Sequence, residues 1–390
     1  ARRLAVLARA VAPAPAPPRP VGPRGVSAAP SAEQSAAEYR PERVLFTGGA
    51  GFIGSNVLIH MVRTYPDVFF LCLDNLSEGS NQANLEPVQE ARNLVVATGD
   101  ITSEATVRSL MSTHCIDTVM HFAAQTHVDR SFARPVQFSE ANVIGTAVLL
   151  KVSHELGVKR FLHVSTDEVY GENVDGVFDE SAQLMPGNPY SASKAGAECL
   201  VRGYLSSYDM PIVVVRPNNI YGPRQFPEKM IPKFILRLMR NQSLPLHGGG
   251  YSRRSFLFVQ DAAEAFDLVL RRGAPGEAYN IGAPSDSTRS VKEVALSLLP
   301  YFGVGTSNMG EHLDIVEDRF KNDASYDVDS AKIRALGWSP RVNFEEGLRR
   351  TVEWYVAHQG HWGAVEEALK AHNAGGALSA AVADAFAAGV

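Results

Sequence analysis

From Arg43 onward, short apolar runs alternate with longer stretches in which apolar positions recur every three or four residues. RVLF (43–46) leads into a glycine-rich loop, and SNVLIHMVRTY (55–65) then has the spacing of a helix. VFFLCLD (68–74), NLVVATGD (93–100) and TVMHFAA (118–124) read as further buried strands, with SEATVRSLMSTH (103–114) helical between the last two. FLHVST (161–166) and PIVVVRP (211–217) continue the series. Near-continuous apolar strands alternating with helices imply right-handed crossovers and a parallel sheet covered on both faces.

After Pro217 the alternation weakens. NNIYGPRQFPEKMIPKFILRLMRNQ is loop and helix rich in Pro, Asn and Arg, whereas FLFVQDAAEAFDLVLRRG reads as a return to the first lobe. The predicted fold class is α/β, a Rossmann-type doubly wound parallel sheet with a smaller C-terminal α/β substrate-binding lobe. The implied boundaries are 42–217 plus about 256–283 for the first lobe and about 218–255 plus 284–356 for the second. Residues 1–41 are rich in Ala, Pro and Arg, and APAPAPPRP admits neither a helix nor a central strand. They read as a disordered extension or as an organelle transit peptide, which is Arg- and Ser-rich and poor in acids. Residues 357–390 read as a low-complexity tail.

Composition narrows the function classes. The chain has 390 residues and a formal net charge of −5. Neither favours a nucleic-acid or membrane-surface partner, which calls for basic patches. No apolar run reaches the roughly 18 to 20 residues of a membrane-spanning helix, so a soluble protein is expected. Cys72, Cys115 and Cys199 are scattered, with neither metal-ligand nor disulfide spacing. They read as buried thiols in a reducing compartment, and a cytoplasmic location is expected, with import through the N-terminal extension left open. No metal site is predicted.

The loop TGGAGFIG, Thr47 to Gly54, follows a strand and opens a helix. Gly48, Gly51 and Gly54, or Gly49, Gly51 and Gly54, fit the glycine spacings that let backbone approach a pyrophosphate at a helix N-terminus. Phe52 and Ile53 lie in the same turn. Asp74, at the end of the next strand, stands where an acid grips the adenosine ribose hydroxyls and repels a 2′-phosphate, so NAD is the expected cofactor.

Tyr190 and Lys194 in PYSASKAGAE are four residues apart and share a helix face. A phenol of pKa about 10 is a poor base at neutral pH, and an adjacent ammonium lowers it. The strand FLHVSTDEVYG upstream brings Thr166, Asp167 and Glu168. Two carboxyls with separated pKa values can divide acid and base roles.

These motifs carry a resemblance. STDEVYG (165–171), NPYSASKA (188–195), AAQTHVDRS (123–131) and NNIYGPRQFPEKMIPKFI (218–235) resemble those of the dTDP-glucose 4,6-dehydratases, extended short-chain dehydrogenases/reductases. The resemblance covers about Arg43 to Tyr355 and implies an NAD-dependent lyase acting on a nucleotide sugar. It assigns Tyr190, helped by Thr166, to the C4 hydroxyl proton, with hydride passing to NAD. Glu168 then takes the C5 proton, Asp167 protonates the departing C6 hydroxyl, and hydride returns to C6. Asp167 is expected protonated and Glu168 ionised. Lys194 and Asn75 join the cofactor contacts, as do Asp100 and Ile101 at the adenine and Ala123 and Ala124 under the nicotinamide. Asn142 resembles a cofactor-proximal or helix-positioning amide. His127, Asn219, Glu228 and Lys229 resemble sugar-nucleotide contacts, and Arg254 and Asn280 diphosphate contacts. Arg253 is the neighbour most easily confused with Arg254.

The chain departs from the family pattern at Ser255, Phe320 and Ser325, where Arg319 or Lys321 could compensate for a lost cation. The alternatives are a UDP-glucose 4,6-dehydratase, another nucleotide-sugar epimerase or dehydratase, and a non-catalytic NAD-binding regulator. The resemblance also implies a homodimer meeting through helices near 134–157 and 188–208.

Overall fold

The computed structural model describes residues 38–172, 176–305, 307–317 and 327–370. The apolar runs form β1 (Arg43–Thr47), β2 (Phe69–Asp74), β3 (Leu94–Thr98), β4 (Thr118–His121), β5 (Arg160–Val164) and β6 (Ile212–Pro217). The remaining strands are β7 (Asn219–Tyr221), β8 (Leu244–His247), β9 (Arg253–Phe258), β10 (Ala278–Ile281), β11 (Thr288–Ser290) and β12 (Leu313–Val316). Seven strands make one parallel sheet in the order β10-β6-β5-β4-β1-β2-β3.

Side chains alternate across each strand, so the two faces of the sheet bury different residues. Phe46, Val57, Leu58, Cys72, Leu162 and Phe266 pack on one face. Leu45, Leu71, Val119, Leu149, Phe161 and Ile212 pack on the other. NLVVATGD, expected to be buried, supplies the edge strand instead, and Val95 and Val96 are exposed. The strand order reverses between β1 and β4, which opens a crevice beyond their carboxyl ends.

β9 also departs from expectation. It pairs antiparallel with β11 and parallel with β7 in a separate three-stranded sheet. The chain returns to the large sheet only with the helix Val259–Arg272 and β10. β8 and β12 form a parallel pair. Tyr221, Ile235, Leu246, Phe258, Leu298, Phe344 and Leu348 make the core around these smaller elements. The expected tail begins too early, since Val365 and Leu369 are buried in that same core. Residues 1–37 and 371–390, and with them positions 319, 320, 321 and 325, lie outside the described residues.

Cys72 is buried, and burial, aided by Asp74, pushes its thiol up to about 12. Cys115 and Cys199 are exposed, which corrects the expectation of three buried thiols. Cys199 is exposed on the helix Pro189–Tyr208, on the face opposite the buried Ala197 and Val201.

That helix is fixed from inside. Arg216 at the end of β6 is 1 % exposed, and its Nη2 lies 2.6 Å from Glu198 Oε2 on the helix. Its Nη1 donates to the Tyr170 hydroxyl at 2.6 Å, and that hydroxyl donates to Asn280 Oδ1 at 2.8 Å. Removing one member of a buried ion pair strands a charge, whereas replacing both leaves an apolar contact. Glu198→Leu is therefore expected to cost on the order of 3 kcal/mol in denaturant unfolding, and Arg216→Met/Glu198→Leu clearly less. Double-variant losses equal to the sum of the single ones would contradict the pairing.

Candidate active site

The crevice at the β1/β4 reversal holds a cavity of about 330 Å³. Its lining includes Gly48, Gly51, Phe52, Ile53, Gly54, Asp74, Asn75, Asp100, Ile101, Ala123 and Ala124, every residue expected at the cofactor, together with Thr166, Asp167, Glu168, Tyr190 and Lys194. A second cavity of about 260 Å³ shares His127, Glu168, Asn219, Glu228 and Lys229 with the first.

The glycine loop is shaped for close approach. Gly48 has φ +73°, and a Cβ there would come 2.6 Å from Ala123 N, where the ends of β1 and β4 meet. A Cβ on Gly54 would run into the Gly48 carbonyl oxygen. The following helix, Phe52–Thr64, starts at Gly51 with no side chain capping it. Its first-turn N–H groups and positive dipole end therefore face the crevice, the arrangement that holds a pyrophosphate. Asp74 is 5 % exposed, and its carboxylate accepts from Ala50 N and Leu76 N, both at 2.9 Å. Each oxygen keeps a second lone pair for a ribose hydroxyl. Burial works against the Asp100 carboxylate, but hydrogen bonds from Thr102 and Asn75 hold it below the usual range. An acidic strand end and an uncapped helix beside a glycine turn fit a dinucleotide without a 2′-phosphate.

Opposite this loop the reacting groups converge. Thr166 ends the strand segment and caps the turn Asp167–Tyr170, accepting from Glu168 N at 3.3 Å. Its hydroxyl lies 3.1 Å from Asp167 Oδ1 and is also hydrogen-bonded to Tyr190. One hydroxyl proton serves only one of these partners at a time. Among the described residues, the buried Asp167 Oδ2 finds no hydrogen-bond partner. Burial, then the neighbouring Glu168 carboxylate, raises the Asp167 pKa well above the usual range, against the pull of Thr166 and Arg254. The expected protonated Asp167 thus has a physical cause. The Glu168 carboxylate accepts from Asn188 Nδ2 at 3.3 Å.

Tyr190 and Lys194 lie on the helix Pro189–Tyr208, which starts with a capping box between Asn188 and Ser191 and Pro189 in its first turn. The charge balance around Tyr190 differs from expectation. Burial, then Glu168, pushes its phenol above the ordinary value. Burial lowers Lys194 to about 8 while Glu198 opposes the fall, and its ammonium donates to the Val164 carbonyl at 2.7 Å. In this geometry the acidic groups outweigh the lysine at the phenol.

The remaining expected residues divide. His127 Nε2 lies 3.2 Å from Glu228 Oε2, whose carboxyl is raised by burial, and Lys229 Nζ donates to Thr126 O at 3.1 Å. Arg254 lines the second cavity, whereas Arg253 turns to Glu293 at 3.2 Å. Asn280 is a correction, because it lines neither cavity. It is fully buried, with Oδ1 accepting from Tyr170 and Nδ2 donating to Phe178 O at 3.1 Å. Asn142 is buried and braces the wall, donating to Ser193 Oγ at 2.8 Å and to Gln125 O at 3.0 Å. Ser255 is also tied internally, to Thr288 Oγ1 and Asp327 Oδ1, each at 2.8 Å.

Sequence reasoning missed Asn188, Glu198 and Arg216. Glu198 stands four residues past Lys194 on one helix face, a signal available from spacing. Nothing local marks Arg216 as its partner.

The raised Asp167 pKa has a measurable consequence. A carboxyl whose folded pKa exceeds its unfolded value gives stability that is complete below the unfolded value and is lost as pH rises through the folded one. Asp167→Asn removes that loss. The variant is expected to melt higher than the parent at pH 8, the gap closing towards pH about 4, while its turnover falls at least about 100-fold. Equal melting temperatures across that range would show that Asp167 is not strained.

The site can be set beside known proteins. The family model described as GDP-mannose 4,6 dehydratase matches residues 45–351. A dTDP-D-glucose 4,6-dehydratase of Mus musculus is 46% identical over 331 residues, covering 84% of this chain and 93% of that protein. A trifunctional UDP-glucose 4,6-dehydratase/3,5-epimerase/reductase of Arabidopsis thaliana is 46% identical over 86% of this chain. The chain spans about half the length of the trifunctional plant relatives it matches. The crystal structure of a dTDP-glucose 4,6-dehydratase from Streptomyces venezuelae with NAD bound superposes with a TM-score of 0.78 at 40% identity, covering 82% of this chain and 99% of that one. With a glycine cradle, an acidic strand end and a Thr-Asp-Glu turn facing Tyr190 and Lys194, the chain belongs to the GDP-mannose 4,6 dehydratase family, alongside the dTDP-glucose 4,6-dehydratases.

Proposed function

We propose that the protein dehydrates dTDP-glucose to its 4-keto-6-deoxy form as an NAD-dependent hydro-lyase. The buried, partnerless Asp167 Oδ2 carries this reading. It gives the site a carboxylic acid held in its protonated form beside a second carboxyl, which oxidation alone does not need. NAD held by Gly48, Gly51, Gly54 and Asp74 would supply a hydride acceptor and donor, and a cationic ring to counter the acidic surroundings of Tyr190.

Tyr190, as the phenolate steadied by the single Thr166 hydroxyl proton, takes the C4 hydroxyl proton and becomes the phenol. Lys194, held by Val164 O, braces the cofactor side. The C4 ketone acidifies C5–H. Glu168 then removes that proton while Asp167 gives its own to the leaving C6 hydroxyl, so elimination releases water, and Glu168 returns the proton to C5 as hydride adds at C6. Arg254, with its planar fork of donors, and Lys229 hold the diphosphate end, and His127, Asn219 and Glu228 line the sugar end.

The large sheet and its helices supply the cofactor half of this reading, and the elements around β7, β8, β9, β11 and β12 supply the sugar-nucleotide half. Exposed Val136, Ile144, Leu156 and Tyr208 on the segments near 134–157 and 188–208 support a homodimer. Among the described residues no helix is long and apolar enough to cross a membrane, and the exposed Cys115 and Cys199 suit a reducing cytoplasm. The plant relatives' UDP-glucose 4,6-dehydratase names favour one second reading, UDP-glucose as substrate.

Incubation with dTDP-glucose and with UDP-glucose separately, followed by NMR of the sugar, tests both readings. A 4-keto-6-deoxy product is expected, with the higher kcat/KM for the dTDP sugar. A UDP-only product would transfer the assignment, and no product from either sugar would end it.

A further inference from the structure

The segment after the helix Phe344–Ala357 lies beyond the matched family region, which ends at residue 351. It nevertheless reaches the back of the glycine loop. Asn81 Nδ2 donates to His361 O at 2.6 Å, and Asn84 Oδ1 lies 2.7 Å from His361 Nε2. Asn84 Nδ2 donates to Ala50 O at 2.8 Å, and Asn81 N donates to the same oxygen at 3.0 Å. Because the Asn84 amide group is committed to Ala50 O, its Oδ1 can only accept, so His361 Nε2 carries the proton. Burial, then His358 and Arg224, lowers His361 to about 4, which leaves the ring neutral at pH 7.

Ala50 and Asn84 are both fully buried. The Ala50 carbonyl therefore has two fixed donors, and its own N–H is held by Asp74. The two donors on the carbonyl set the plane of the Ala50–Gly51 peptide, the Asp74 contact sets that of the Gly49–Ala50 peptide, and Gly51 is the residue at which the uncapped helix begins. The direction of the amides facing the crevice follows from these planes. The same segment also touches the far wall. Trp362 meets Phe226 edge-on at 5.2 Å, and on the preceding helix the Tyr355 hydroxyl donates to Gln225 O. Gln225 and Phe226 line the cofactor crevice.

We propose that His361 is a positioning residue for the cofactor: through Asn84 it braces Ala50 and holds the glycine loop in its binding form before the dinucleotide arrives. The proposal rests on the reading of this loop as an NAD site. Pre-ordering a loop removes part of the cost of binding, so losing the brace weakens affinity and leaves the chemical step alone.

Calorimetric titration with NAD tests it. His361→Ala is expected to raise the NAD dissociation constant about tenfold, with kcat at saturating NAD within about twofold of the parent. His361→Phe keeps a ring, lacks the donor and shows the same loss, whereas His361→Gln restores a side-chain N–H and most of the affinity. In cofactor-free protein, hydrogen exchange at Gly51–Ile53 rises about tenfold while the β5 amides keep their protection. In an Asn84→Ala background His361→Ala adds less than about twofold. Unchanged NAD affinity in both His361→Ala and His361→Phe overturns the proposal. So does faster exchange spread equally over β5, which marks a merely structural role. Failure of the parent protein to bind NAD at all removes the NAD reading itself.

Discussion

A guanidinium sealed from solvent must find all its partners inside the protein, and Arg216 finds them on separate elements. Glu198 belongs to the helix that carries Tyr190 and Lys194. Tyr170 belongs to the turn that carries Asp167 and Glu168. Through Tyr170 the contact extends to Asn280 on β10, the last strand of the large sheet. The acid–base pair and the phenol–lysine pair are thus set against one another by a group that lines neither cavity. Charges buried this way fix geometry more than they add stability, because desolvation offsets most of their attraction.

Much of this arrangement was legible in the sequence because it is local. A β-rich run, a glycine turn and a helix imply one another within a dozen residues, and Tyr190 and Lys194 share a face by helical period alone. Asp167 and Glu168 stand out because they follow a short β run and Ser-Thr and precede the Tyr190 and Lys194 pair. What escaped was non-local. NLVVATGD has a buried strand's composition, but only the strand order reveals it as an edge. FLF in β9 looks like its neighbours in the large sheet and pairs elsewhere. Asn280 lies in a strand with a family-like motif, yet Tyr170 and Phe178 occupy its amide, and neither lies near it in sequence.

The electrostatics of the site show why residue type alone underdetermines role. Lysine four residues from tyrosine predicts a phenol of lowered pKa. Here the ammonium is spent on the Val164 carbonyl, and Glu168 stands among the groups that raise the phenol. The protein part of the site is therefore more acidic than the motif suggests. A cationic partner is welcome there, and the carboxyl that must stay protonated is kept so by the same crowding.

The brace on the glycine loop also bears on how the chain matures. The bond between Asn84 and His361 joins residues 277 apart. β10 likewise completes its sheet by pairing with β6 long after β1 to β5 have been made. During synthesis the glycine turn and its first strands emerge early, with their hydrophobic faces waiting for later partners. The loop acquires its final support only when the helix Phe344–Ala357 and the segment behind it have docked. A nascent chain therefore holds an incomplete nucleotide cradle until residue 361 has left the ribosome.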